Sequence, residues 1–118
     1  MKKKNEVRDR SFDFAVRIIN LYKYLCSEKK EYVLSKQVLR SGTAIGALIR
    51  EAECGESSAD FIHKMGIALK EANETGYWLE LLNKTEFLTE EQYNSVKYDV
   101  DVLIGLLVKI IKKMKGIE

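Results

Sequence analysis

The stretch Thr89–Met114, TEEQYNSVKYDVDVLIGLLVKIIKKM, decides the fold class. It opens on Thr89 with Gln92 three residues on, a pairing in which hydroxyl and carboxamide satisfy each other's backbone amides at a helix start. From there Tyr93, Val96, Val100, Leu103, Leu107, Ile110 and Met114 recur at intervals of three and four. On a helix of about 3.6 residues per turn that spacing makes one continuous apolar stripe. The longest apolar run within it, Val102–Val108, is interrupted by Gly105 and is far too short to cross a bilayer.

Three more segments upstream carry the same period. Phe14, Ile18, Leu21 and Leu25 form the first, widened by Ala15, Ile19 and Tyr22. The second, from about Tyr32 to Cys54, runs Val38, Gly42, Ile45, Ile49, Ala52. In the third, Ser57 followed by Asp60 resembles a capping box with aspartate in place of glutamate. Phe61, Met65, Ala68, Ala72, Thr75, Leu79 and Leu82 then follow in heptad rhythm. The linkers SEKKEY, CGESS and NKTEFLT are short, so each helix should run antiparallel to the one before it. No proline occurs anywhere, as an all-helical chain allows. The expectation is all-α: one domain over residues 1–118, an antiparallel up-down-up-down four-helix bundle, with residues 1–7 as a flexible basic tail.

Gly42 and Gly46 sit inside the second helix, where each costs about 1 kcal/mol against alanine. Close helix packing, in the bundle or between subunits, is the gain that would offset this. A phosphate loop is excluded, because no strand precedes the pair and no Lys-Ser/Thr follows it.

Enzyme signatures are scarce. His63 is the only histidine, which leaves no paired-histidine metal site, and Cys26 and Cys54 form no CxxC pair and have no activating neighbour. No catalytic residue, metal or cofactor is expected. Lys70 and Glu74, four apart, are expected to form a structural ion pair. A second stripe on the third helix mixes charge with the single tryptophan, and Trp78, Lys64, Ile67, Glu71 and Glu74 are read from it as a subunit interface.

The net charge of +2 is unevenly placed. Residues 1–17 hold six basic and three acidic groups and residues 109–118 four basic and one acidic, so the middle of the chain is acidic. In an up-down-up-down bundle the two basic segments share one end. Lys2, Lys3, Lys4, Arg8, Arg10, Lys109, Lys112, Lys113 and Lys115 would there attract a phosphate backbone without reading its sequence. Avidity would strengthen such a patch in a symmetric ring. The N-terminus lacks the apolar core of a secretory signal, so a cytoplasmic, non-membrane protein is expected.

The segments SFDFAVRIINLYKYL, LSKQVLRSGTAIGALIREAE and SSADFIHKMGIALKEANETGYWLELL resemble a small bacterial four-helix bundle protein family. Its first members were found encoded in intervening sequences of large-subunit ribosomal RNA genes, and it has been labelled a ribosomal protein. The most specific part is Arg40-Ser41-Gly42, Ile45-Gly46-Ala47, Glu51-Ala52, Asp60-Phe61, Lys64, then ALKEANETGYWL. Ala44 and Leu48 depart from the serine and asparagine common in the family. The resemblance implies an up-down bundle, often a five-subunit ring, and kinship with the nucleic-acid-binding accessory protein of diversity-generating retroelements. It carries over no catalytic residue. The expected function is a non-enzymatic homo-oligomer, a pentamer on the family pattern, engaging structured RNA or an RNA–protein complex. The alternative is a protein-binding scaffold without nucleic-acid contact.

Overall fold

The computed structural model describes residues 5–117. Four helices follow in order: α1 (Glu6–Ser27), α2 (Leu34–Glu53), α3 (Ser58–Lys84) and α4 (Glu90–Lys115). No strand occurs among the described residues. None of the described helices is long and apolar enough to cross a membrane.

Each helix start has a local cause. The Asn5 side chain accepts from the Arg8 amide, so α1 is already capped and under way at residues 5–7, which the sequence had suggested for the tail. Residues 1–4, the rest of that expected tail, lie outside the described residues. Ser57 accepts from the Asp60 amide to open α3, and Thr89 and Gln92 form the full reciprocal box at α4. Helix α2 begins later than its apolar period suggests. Lys30 takes a positive φ of 55°, and Glu31 turns its carboxylate onto the amides of Val33, Leu34 and Ser35 at 3.2, 3.0 and 2.7 Å. A glutamate three residues ahead of the helix thus satisfies the amides that an ordinary cap would take. At the far end of α4, Gly116 adopts φ 71° as a left-handed cap, a conformation glycine reaches without strain.

The helices pack in chain order around one core, α1 against α2, α2 against α3, α3 against α4, with α4 closing less tightly on α1. Ile18, Leu25, Val38, Ile45, Ile49, Leu79, Leu82, Val100 and Leu107 are fully buried there. These are the stripe positions read from the sequence. The fold is therefore the four-helix bundle, 44 Å along its longest axis. The glycines of α2 face the same chain: a Cβ at Gly42 would stand 2.9 Å from both γ-carbons of Ile18, and one at Gly46 would lie 3.4 Å from Ser11. Close approach of α1 to α2 is what these glycines allow. The loose α1/α4 side is clasped by Arg17, which donates to Asp99 at 2.6 Å and to the Ser95 carbonyl and hydroxyl at 3.2 and 2.6 Å.

Candidate nucleic-acid interface

The start of α1, the α2–α3 connection and the last turns of α4 share one end of the bundle, as the alternation of the helices dictates. Lys2, Lys3 and Lys4 of the expected basic patch lie outside the described residues. Two of its members have a carboxylate partner in the chain. Arg8 stands 3.7 Å from Glu53, which also accepts from Asn5, and Arg10 pairs with Glu6 at 2.9 Å. Both arginines therefore have local structural partners, although neither is buried.

Lys109, Lys112, Lys113 and Lys115 stay exposed, and among the described residues none has a carboxylate within 4 Å. Lys112, Lys113 and Lys115 fall in the last helical turn, where the carbonyl end of the dipole favours cations. The structure brings two further groups to this face, neither of which the sequence assigns to the basic patch. Lys115 rims an open groove of 540 Å³ together with His63 and Lys70 of α3, over a floor containing Ile62, Gly66 and Ile67. Their signal was the seven-residue spacing of His63 and Lys70 on the side of α3 away from its core stripe.

Lys70 is available because the expected pair with Glu74 does not form. Arg40 reaches across from α2 and takes Glu74 as well as Glu71, the latter at 3.3 Å. One planar guanidinium with several donors can bridge two carboxylates, where an ammonium meets them as a point charge. The stripe read as a subunit interface lies mostly over this α2/α3 side. Lys64 bonds Glu51 at 3.0 Å, Glu71 and Glu74 hold Arg40, and the Trp78 indole donates to Glu74 at 3.2 Å while packing on the core. Ile67 alone of the five opens onto the groove. On α4, Asp101 accepts from Lys97 at 2.8 and 3.0 Å, and this hydrogen bond holds the Lys97 ammonium above the usual lysine range.

No group of three or more potential metal-ligating side chains occurs among the described residues. Asp60 faces the pocket of Glu51 and Lys64, away from the groove that His63 lines. What the surface offers chemically is a set of cations that have no carboxylate partner among the described residues.

A family model described as 23S rRNA-intervening sequence protein matches residues 3–109. A solved structure from Bacteroides thetaiotaomicron, described as a protein with unknown function from the S23 ribosomal protein family, is 63% identical to this chain. It superposes with a TM-score of 0.89, covering 90% of this chain and 98% of that one. Comparison with curated proteins finds no match.

Proposed function

The chain belongs to the 23S rRNA-intervening sequence protein family, and from that premise we propose a non-enzymatic, ring-forming homo-oligomer that engages structured RNA, alone or in a protein complex. The observation that carries the reading is the contrast between two sets of cations. Arg8, Arg10, Arg17, Arg40, Lys64 and Lys97 all have a carboxylate partner; of the cations that have none among the described residues, Lys23, Lys29, Lys30, Lys36, Arg50, Lys70 and Lys84 are spread over the chain, whereas Lys109, Lys112, Lys113 and Lys115 fall within one short stretch at the end of α4. Partnered cations staple helices; a cluster of free ones raises the local potential and draws in a polyanion. Four lysines on one copy bind phosphates weakly. A ring that repeats them on one face multiplies the effect through avidity.

The test is fluorescence anisotropy of a labelled structured RNA over a salt series. Affinity should fall steeply with salt, by about 0.7–0.9 of a log unit per log unit of salt for each phosphate neutralised. The double charge reversal Lys112→Glu/Lys113→Glu should flatten that slope and weaken binding of unrelated RNAs alike. Absence of binding at low salt would refute the RNA reading. The scaffold reading would then lead, supported by the exposed Phe12, Val16 and Ile19 on α1, and a partner captured despite nuclease and high salt would establish it.

A further inference from the structure

Helices α1 and α4 meet less closely than the other neighbouring pairs, and two hollows flank the Arg17 clasp along their seam. The hollow toward the start of α1, 330 Å³, sets Arg10, Asp13 and Asp99 over Phe14 and Leu103. Charges of both signs offset each other there. The second hollow, 280 Å³, is of another kind. Its floor is apolar, made by half-buried Leu21 with Leu88 and Val96, which are 2% and 5% exposed. Its rim is polar and comes from both helices, Arg17, Asn20 and Tyr24 of α1 facing Gln92 of α4. An apolar cleft with a few converging polar groups has the make-up of a small-molecule site, and its volume suits one close to the lower end of the usual range of about 300–1,000 Å³.

Two of the rim groups are fixed from behind. The terminal nitrogens of Arg17 are engaged by Asp99 and Ser95, and the Gln92 carbonyl accepts from the Thr89 amide at 2.9 Å. Capacity remains on the side chains that line the cleft. The Gln92 amide nitrogen has only the Tyr24 hydroxyl at 3.5 Å, the long limit of a hydrogen bond, and the Asn20 carboxamide bonds no described residue. Polar groups already held in place give up little entropy when a ligand arrives. The chemistry they ask for is narrow. Asp99 at 2.6 Å already balances Arg17, and with Asp13 it would repel a further anion, so the ligand is neutral. A carboxamide presents donor and acceptor side by side, which matches an amide-like edge presenting acceptor and donor. Between two helices, beside an aromatic ring, the apolar floor favours a flat ring system.

We propose that this α1/α4 cleft binds a nucleobase, its ring over Leu21, Leu88 and Val96 and its amide-like edge on Asn20 and Gln92. The proposal goes beyond the RNA reading, which needs only phosphates and the lysines ending α4. The base can come from a free nucleoside or from an unpaired residue of an RNA. The test has one arm for each source and uses the full-length protein. In the first, the four ribonucleosides and their 5′-monophosphates are examined by saturation-transfer NMR. At least one nucleoside should receive saturation, most strongly at its base protons, and its monophosphate should bind no more tightly. Asn20→Trp, at an exposed helical position, should fill the mouth of the cleft and abolish the signal; Asn20→Ala should weaken binding by roughly tenfold or less. Circular dichroism verifies helix content, and Asn20→Ala decides the matter if Asn20→Trp loses it. In the second arm, two RNA hairpins differ only in one bulged nucleotide, intact or abasic, so that their phosphates are equal in number. An intact bulge binding about tenfold tighter or more, with the gain lost in Asn20→Trp, would assign the base to RNA. Equal hairpin affinities beside nucleoside binding would assign it to the free nucleoside. No saturation of any base together with equal hairpin affinities would overturn the cleft while leaving RNA binding intact, as would nucleoside binding unchanged by either Asn20 variant. Failure of both hairpins to bind at low salt would refute the RNA reading alone, since the nucleoside arm still decides the cleft.

Discussion

Gly42→Ala sets helix propensity against packing at a single atom. The added methyl gains about 1 kcal/mol of propensity. Against this, the new Cβ would lie 2.9 Å from both γ-carbons of Ile18 and 3.3 Å from its Cβ. Ile18 has no exposed surface through which to retreat, and its β-branch restricts χ1, so the helices rather than a side-chain tip must shift. Overpacking of a filled core costs about 1–3 kcal/mol, and the stiffness of Ile18 places this site in the upper part of that range. The net expectation is destabilisation by about 1–2 kcal/mol. With a urea m-value of about 1–3 kcal/mol per molar, the unfolding midpoint should drop by roughly 0.5–1 M. The measurement needs a fixed protein concentration, because association would shift apparent stability. Gly66→Ala and Gly105→Ala are the controls: in open space the same methyl should add up to about 1 kcal/mol. Ile18→Ala alone should cost about 2–5 kcal/mol, and combined with Gly42→Ala it should cost less than the two separately, since one methyl occupies the room the other vacated. A Gly42→Ala midpoint at or above wild type would refute the account of α1/α2 packing.

Glu31→Ala should lose about 1–3 kcal/mol, because three amides at the start of α2 lose their acceptor; Glu31→Gln should recover part of this, read by the same urea titration. Arg17→Ala should cost about 1 kcal/mol or less, the clasp being more than a third exposed, yet amide exchange should quicken at the facing turns of α1 and α4 before the rest of the core. The Lys97–Asp101 pair should show its effect at high pH. A raised lysine pKa means the folded state holds the proton more tightly, so the contribution is full below the unfolded value of about 10.4 and vanishes as pH climbs through the folded one. Unfolding titrations from about pH 9 to about pH 12 should therefore show wild type converging on Asp101→Asn, and a constant gap would contradict the pairing.

The parts of the fold that were legible are those in which cause and effect lie within a few residues. The Thr89/Gln92 box, the Ser57 cap and the stripes ending in buried Val96, Val100, Leu103 and Leu107 follow from local spacing alone. The start of α2 is not legible to the residue, because its cap is a glutamate two residues ahead of the N-cap position, a residue type and distance outside the usual signature. The candidate site was less legible, because it depends on which charges meet across the bundle. Asp99 lies 82 residues from Arg17, and Glu53 lies 45 from Arg8, so no periodicity pairs them. Lys70 and Glu74 show the opposite failure. Their i,i+4 spacing is favourable in an isolated helix, but Arg40 on the packed neighbour offers Glu74 a better partner.

That displacement links fold to function. With Arg40 bridging Glu71 and Glu74, Lys70 is left at the rim of the groove, and the stripe around Trp78 is drawn into the α2/α3 side of its own chain. The lysines ending α4 are left without a carboxylate within 4 Å among the described residues. Lys112, Lys113 and Lys115 occupy the last turn of α4. Copies set side by side with their helices parallel would repeat these lysines around one rim. Charge reversal at Lys112 and Lys113 should weaken RNA affinity in a particle of unchanged mass, because Lys109 and Lys115 remain and the helix packing is untouched; an unchanged affinity would refute the role given to this end of α4.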